Sequence, residues 1–213
     1  MFVLNQTTSV ANHFIAELRD SKIQHDRLRF RRNLERVGEV LAYEISKTLN
    51  YELSSVQTPL GEAQESLLTD RIVLATILRA GLPFHQGMLN FFDKADSAFV
   101  SAYRRHYQSG EFEIKMEYVS APNLDEAVLI LTDPMLATGA SMEIVLRELL
   151  DMGKPREVHV AAVIASTDGV DRIRRMFPEV KLWLGALDEE LTAKAYIVPG
   201  LGDAGDLAYG DKD

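Results

Sequence analysis

Asp133 and the run Ala137-Thr138-Gly139-Ala140-Ser141 carry the most distinctive chemistry in this chain. They follow the apolar stretch Ala127–Thr132 and precede a segment of helical periodicity. The local plan is therefore strand, acid, short loop, helix, with Asp133 at the carboxyl end of the strand and the helix starting near Ser141. In an open α/β sheet that position is the crevice where ligands bind. Successive N–H groups from Ala137 to Ser141 can wrap a phosphate at the helix N-terminus, helped by the Thr138 and Ser141 hydroxyls. Gly139 allows the backbone to approach the anion closely. Asp133 only accepts hydrogen bonds, so it suits ribose hydroxyls or a Mg²⁺ ion rather than phosphate oxygens. The run is neither G-x-x-x-x-G-K-[ST] nor G-x-G-x-x-G. Thr138–Ser141 also suits an ordinary helix start, and these residues alone leave both readings open.

The elements that must position this loop follow from the pattern around it. Phe30, Leu34, Val37, Leu41 and Ile45 recur at helical spacing, so the first fifty residues read as helical. Beyond Tyr51 strands alternate with helices. Arg71–Leu78, Ser97–Tyr103, Ala127–Thr132, Val158–Ala165 and Val180–Leu184 read as strands, while Ser141–Met152 and Val170–Phe177 read as helices. Such alternation predicts a largely parallel sheet with helices on both faces. Phe112, Ile114, Met116 and Tyr118 alternate with charged residues instead, which predicts an antiparallel strand. With the Gln108-Ser109-Gly110 turn it forms a β-arm over residues 104–122. No linker interrupts the chain, so residues 1–213 are expected to form one domain.

Composition narrows the field. The 213 residues are 46% hydrophobic, enough for a full core, and carry a formal charge of −9. That charge argues against a protein that coats nucleic acid by counterion release. With no cysteine, thiol nucleophiles and thiolate metal sites are excluded. No secretory signal or membrane span is visible, and a cytoplasmic setting is expected. Arg27, Arg29, Arg31, Arg32 and Arg36 crowd one segment, as a solvated or subunit-contact face or as a phosphate- or effector-binding site. The five histidines, His13, His25, His85, His106 and His159, are scattered, and His159 reads as structural.

An apolar strand, an acid and then A-T-G-[AG]-S resembles the phosphoribosyl-diphosphate (PRPP) motif of the type I phosphoribosyltransferases. The form Asp133-Pro134-Met135-Leu136-Ala137-Thr138-Gly139 is similar to the uracil phosphoribosyltransferase family within them. Most relatives outside that subfamily carry two adjacent acids, where this chain has Thr132-Asp133-Pro134. Ile77–Leu82 resembles the family's pyrophosphate loop, and Tyr196–Asp206 its uracil-recognition segment. The likeness runs from about Phe30 to Gly210, and the first thirty residues are its least diagnostic part.

The resemblance implies transfer of a phosphoribosyl group from PRPP to N1 of uracil, giving UMP and diphosphate, a pyrimidine-salvage reaction. It implies that Asp133, Pro134, Met135, Leu136, Ala137, Thr138, Gly139, Ala140 and Ser141 bind PRPP, with Arg79, Arg104 and Asp203 binding it and serving catalysis. It implies that Ile197, Gly202, Asp203 and Ala204 form the uracil site within a base-binding segment over residues 186–213. Gly200, Gly202 and Gly205 are expected to expose backbone groups to the base. Mg²⁺ would arrive with the diphosphate, with Asp203 turned toward it through water. Arg105 departs from the family pattern beside Arg104, and Ala140 stands where a second glycine is commoner. The arm and the apolar N-terminal helix favour a homodimer or higher homo-oligomer. A regulator that senses PRPP or nucleotide on the same fold is the alternative.

Overall fold

The computed structural model describes residues 1–106 and 112–211, excepting the side chains at 102–106 and 112–116. The expected Gln108-Ser109-Gly110 turn and the side chains of Arg104, Arg105 and His106 lie outside the described residues.

The chain opens with a short strand β1 (Phe2–Val3), then helices α1 (Ala11–Arg19) and α2 (Arg27–Ser46) and a hairpin of β2 (Tyr51–Thr58) with β3 (Gly61–Leu68). Then follow β4 (Ile72–Leu78), α3 (Leu82–Leu89), β5 (Asp96–His106), β6 (Phe112–Ser120) and β7 (Val128–Leu136). Helix α4 (Ala140–Met152), β8 (Glu157–Ser166), α5 (Thr167–Met176) and β9 (Lys181–Asp188) continue the alternation. Small strands β10 (Glu190–Leu191) and β11 (Ile197–Val198) and helix α6 (Ala204–Tyr209) complete it.

Seven strands form one sheet in the order β1-β9-β8-β7-β4-β5-β6. Every neighbouring pair is parallel except β5 with β6. Alternate residues feed opposite faces, as the pleat requires. Val128 and Ile130 of β7 join the core beneath α1, α2 and α3, whereas Leu129 and Leu131 join the core beneath α4 and α5. Both faces are covered, which is why β4, β7 and β8 read as continuous apolar runs rather than alternating ones.

The chain leaves β4 toward β5 on one side, while β7 pairs with β4 on the other. The ends of β4 and β7 therefore flank a topological switch point. Strand β5 pairs with β4 only as far as Ser101, where its register against β6 shifts. Beyond that point β5 and β6 pair with each other alone, which is the expected arm.

Two features depart from the sequence reading. The first fifty residues are not wholly helical, because Phe2–Val3 adds a parallel edge strand against Trp183–Leu184. A two-residue strand carries no periodicity to detect. The β2–β3 hairpin was also not anticipated. Its residues are mostly exposed on both faces, so it lacks the one-sided apolar alternation of a core strand.

Candidate active site

Strand β7 runs further than the sequence suggests. Asp133 pairs with Ala162 and Leu136 with Ala165, so Asp133–Leu136 lie within the strand rather than in a loop. Pairing to β4 stops at Thr132, so Pro134 sits where β7 has no neighbour on that side. Only Ala137, Thr138 and Gly139 connect β7 to α4.

Gly139 takes φ +74° at the helix start. A β-carbon there would meet the Gly169 carbonyl oxygen at 3.1 Å and Arg172 Cδ at 3.2 Å. Ala140 is the first helical residue and is not among the positive-φ positions. Its methyl group therefore demands nothing unusual of the backbone, and the departure from a second glycine is harmless to the turn. The first-turn N–H groups of α4 have no helical acceptor. Among the described residues the Glu143 N–H reaches back to the Gly139 carbonyl at 2.9 Å, and of the three before it only the Ala140 N–H finds an acceptor, the Thr138 hydroxyl at 3.3 Å. The loop is held from behind by Ser166 Oγ, which donates to the Ala137 carbonyl at 2.6 Å and accepts from Gly169 N. Asp133 is half-buried and accepts from Met135 N at 3.4 Å.

Arg79 follows the end of β4, and the Leu78–Arg79 peptide is cis. Its Nη2 donates to Asp206 Oδ1 at 3.0 Å and to the Gly210 carbonyl at 2.5 Å. The segments Ile77–Leu82 and Tyr196–Asp206, 127 residues apart at this contact, thus meet in space. Arg79 Nε is buried with no acceptor among the described residues. A buried donor left unpaired in a native fold calls for an explanation, and a ligand oxygen is one.

Asp203 precedes α6 and caps it: Oδ1 accepts from Gly205 N at 2.8 Å and Asp206 N at 3.0 Å. Its side chain is exposed, lining a cavity of about 710 Å³ with Gly202, Asp206, His25 and Arg27. Ile197 and Ala204 are buried, and Gly202 takes φ +93° on the surface between them. The expectation that Gly200 and Gly205 offer free backbone donors needs correcting. Gly205 N–H is bound to Asp203, and Gly200 N–H donates to Asp188 Oδ2 at 2.9 Å. Of the three glycines, Gly202 is the one without such an internal partner among the described residues.

The backbone places Arg104 three positions beyond Ser101, which pairs with Leu78 at the same end of the sheet. His159 is buried far from this chemistry. It accepts from Trp183 Nε1 at 2.9 Å, and its Nε2 lies 2.5 Å from Glu157 Oε1. Burial holds its pKa down to about 4, against the pull of Glu157, as a structural histidine requires.

The arginine cluster of α2 is largely absorbed within the molecule. Arg29 pairs with Glu17 and Arg32 with Glu35, while Arg36 lies over the Phe14 ring. Arg31 donates to the Ala208 carbonyl at 2.7 Å, which links α2 to α6.

A parallel sheet with an anion-ready helix start and an arginine turn on neighbouring strands is the plan of the type I phosphoribosyltransferases. A family model described as uracil phosphoribosyltransferase matches residues 5–211. A uracil phosphoribosyltransferase of Porphyromonas gingivalis is 55% identical over 205 residues, covering 96% of this chain and 95% of that one. One from Pyrococcus furiosus is 40% identical over 200 residues, covering 92% and 84%. The solved AQ2163 protein of Aquifex aeolicus superimposes with a TM-score of 0.88 at 34% identity, covering 99% of this chain and 98% of that one. The chain belongs to the uracil phosphoribosyltransferase family. The family match begins at residue 5, so the N-terminal helices belong to it as well.

Proposed function

We propose that this enzyme transfers the 5-phosphoribosyl group of PRPP to N1 of uracil, releasing diphosphate and forming UMP. The observation that carries the reading is the meeting of Arg79 with Asp206 and Gly210 beside the switch point where Asp133 and the α4 start lie. Two sequence-distant segments of opposite chemistry, one cationic and one acidic and glycine-rich, converge at the carboxyl ends of the strands.

The roles follow from geometry. The N–H groups at the start of α4, with Thr138 and Ser141, hold the 5′-phosphate. Asp133 accepts from the ribose hydroxyls. Arg79 offers Nε and Nη1, neither of which has a partner among the described residues, to the diphosphate. Arg104 is the second diphosphate contact, carried on the arm. As the C1′–oxygen bond lengthens, negative charge grows on the leaving diphosphate, and fixed cations placed there stabilise it more than the ground state.

The residues present fit a Mg²⁺ ion that travels with its substrate. Among the described residues no cluster of three or more metal-ligating side chains exists, and Mg²⁺ is commonly held by one or two carboxylates plus substrate phosphates. Asp203 would hold it through water, since capping occupies Oδ1 and leaves Oδ2 outward. When bound, the ion supplies charge neutralisation to the leaving group.

The uracil edge is read by the backbone at Gly202, between Ile197 and Ala204. Fixed donors and acceptors match its alternating edge and leave cytosine with unpaired buried groups. The β5–β6 arm covers the site against water. A homodimeric or higher state belongs to the same reading. So does a cytoplasmic setting, because a polyanionic sugar diphosphate does not cross a bilayer unaided.

The test is diphosphate release from PRPP with Mg²⁺, run in parallel with uracil, cytosine, hypoxanthine and orotate. Uracil alone should support turnover, and Arg79→Ala should lower it at least a hundredfold with the fold intact. Equal rates with cytosine, or no release with uracil, would overturn the assignment.

A further inference from the structure

The glycine turn that leads into the base segment is held by a largely buried ion pair between the ends of α1 and β9. Asp188 ends β9 and is 6% exposed. Arg19, the last residue of α1, grips it with two nitrogens, Nη1 to Oδ2 at 2.8 Å and Nη2 to Oδ1 at 2.7 Å. Both partners then turn to the same residue. Asp188 Oδ2 accepts from Gly200 N at 2.9 Å, and Arg19 Nη1 donates to the Gly200 carbonyl at 3.0 Å. The two backbone hydrogen-bonding groups of one glycine are thus fixed by one bidentate pair.

Gly200 cannot be replaced by a residue with a side chain here. Its φ is +56°, and a β-carbon would meet the Ile197 carbonyl oxygen at 2.1 Å. The turn is tight, and its orientation sets where Gly202, two residues on, presents its backbone. A misplacement of about 1 Å in a binding group can cost on the order of a hundredfold in rate.

Resting on the uracil-transfer reading above, we propose that Arg19 and Asp188 are positioning residues for base recognition. They lock the Gly200 turn so that the Gly202 backbone meets the base, while the α4 cradle is held by Ser166 Oγ and α5, and among the described residues no side-chain hydrogen bond of Arg19 or Asp188 reaches it, although Asp188 neighbours Ser166 in the β8–β9 ladder. The pair should therefore govern affinity for uracil and leave affinity for PRPP alone. A pair that only stabilised the fold would affect both substrates or neither.

Steady-state kinetics of the full chain separate these cases. Asp188→Asn keeps one acceptor oxygen and loses the carboxylate, so the bidentate grip and the Gly200 N–H bond cannot both survive. The KM for uracil should rise about tenfold, with the KM for PRPP and the PRPP Kd by calorimetry changed less than about twofold. Arg19→Lys keeps the charge but loses the fork, and should show the same selective rise at smaller size. It also serves if Asp188→Asn does not fold. A parallel rise for both substrates, a fall in kcat alone, or unchanged uracil KM in folded variants overturns the positioning role. Wild-type enzyme that turns over uracil normally in those same assays leaves the functional reading standing when the positioning role fails. Wild-type enzyme inert with uracil overturns both.

Discussion

Neighbouring residues at the start of α4 have opposite conformational requirements, although both are small. Gly139 holds φ +74° against Gly169 and Arg172, whereas Ala140 already belongs to the helix. Gly139→Ala should destabilise the protein by about 1–2 kcal/mol, the cost of a left-handed non-glycine residue. It should also raise the KM for PRPP, because relief of the strain moves the N–H groups of the cradle. Ala140→Gly should leave PRPP binding unchanged and cost about 0.5–1 kcal/mol through added freedom in the unfolded helix start. Thermal unfolding with PRPP titration checks both, and equal PRPP affinity in wild type and Gly139→Ala would remove the loop from phosphate binding. The sequence showed which residues bear on this loop, but it could not show which of the two needed glycine. That depends on Gly169 and Arg172, which reach the loop from α5.

Elements explain what was and was not legible. The strands β4, β7 and β8 announced themselves because burial on both faces makes them apolar throughout. Asp133–Leu136 looked like loop because an acid and a proline interrupt the apolar run, yet pairing to β8 carries the strand to Leu136. The glycines of the C-terminal segment looked alike in sequence, and only the structure shows Gly200 and Gly205 spent on internal bonds. The same holds for Asp203, whose side chain both caps α6 and faces the cavity. These two tasks separate by substitution. Asn caps a helix about as well as Asp, so Asp203→Asn should keep the unfolding free energy within about 0.5 kcal/mol. Its turnover should nonetheless fall sharply, because the charge that the proposed function turns toward the diphosphate and its ion is gone. Asp203→Ala should lose about 1 kcal/mol of stability in addition. If Asp203→Asn turns over at the wild-type rate, the carboxylate is a cap and nothing more.

At the scale of the whole molecule, the proposed reaction asks a protein with a formal charge of −9 to hold polyanions, which calls for local devices, backbone N–H groups and a few arginines, rather than a basic surface. Its stability should respond to acid for a different reason, the two imidazoles enclosed in the fold. His85 is buried against Ser97, with Nε2 3.1 Å from Oγ and Nδ1 without a partner among the described residues, and burial lowers its pKa to about 4. His159 is held at about 4 by the same cause. In the unfolded chain both titrate near 6.5. Below that pH the unfolded state takes up protons that the folded state refuses until about pH 4, so stability is complete above pH 6.5 and falls as the pH drops through this window. Each histidine contributes up to about 1 kcal/mol per pH unit of loss, and on the order of 3 kcal/mol across the window. His159→Gln keeps an acceptor for the Trp183 N–H and cannot be protonated. Urea unfolding from pH 7.5 down to 5.5, before most carboxylates titrate, should show a shallower loss in this variant than in wild type. Parallel slopes would mean that the fold admits the charged imidazolium, and that His159 is not sealed from solvent in the native state.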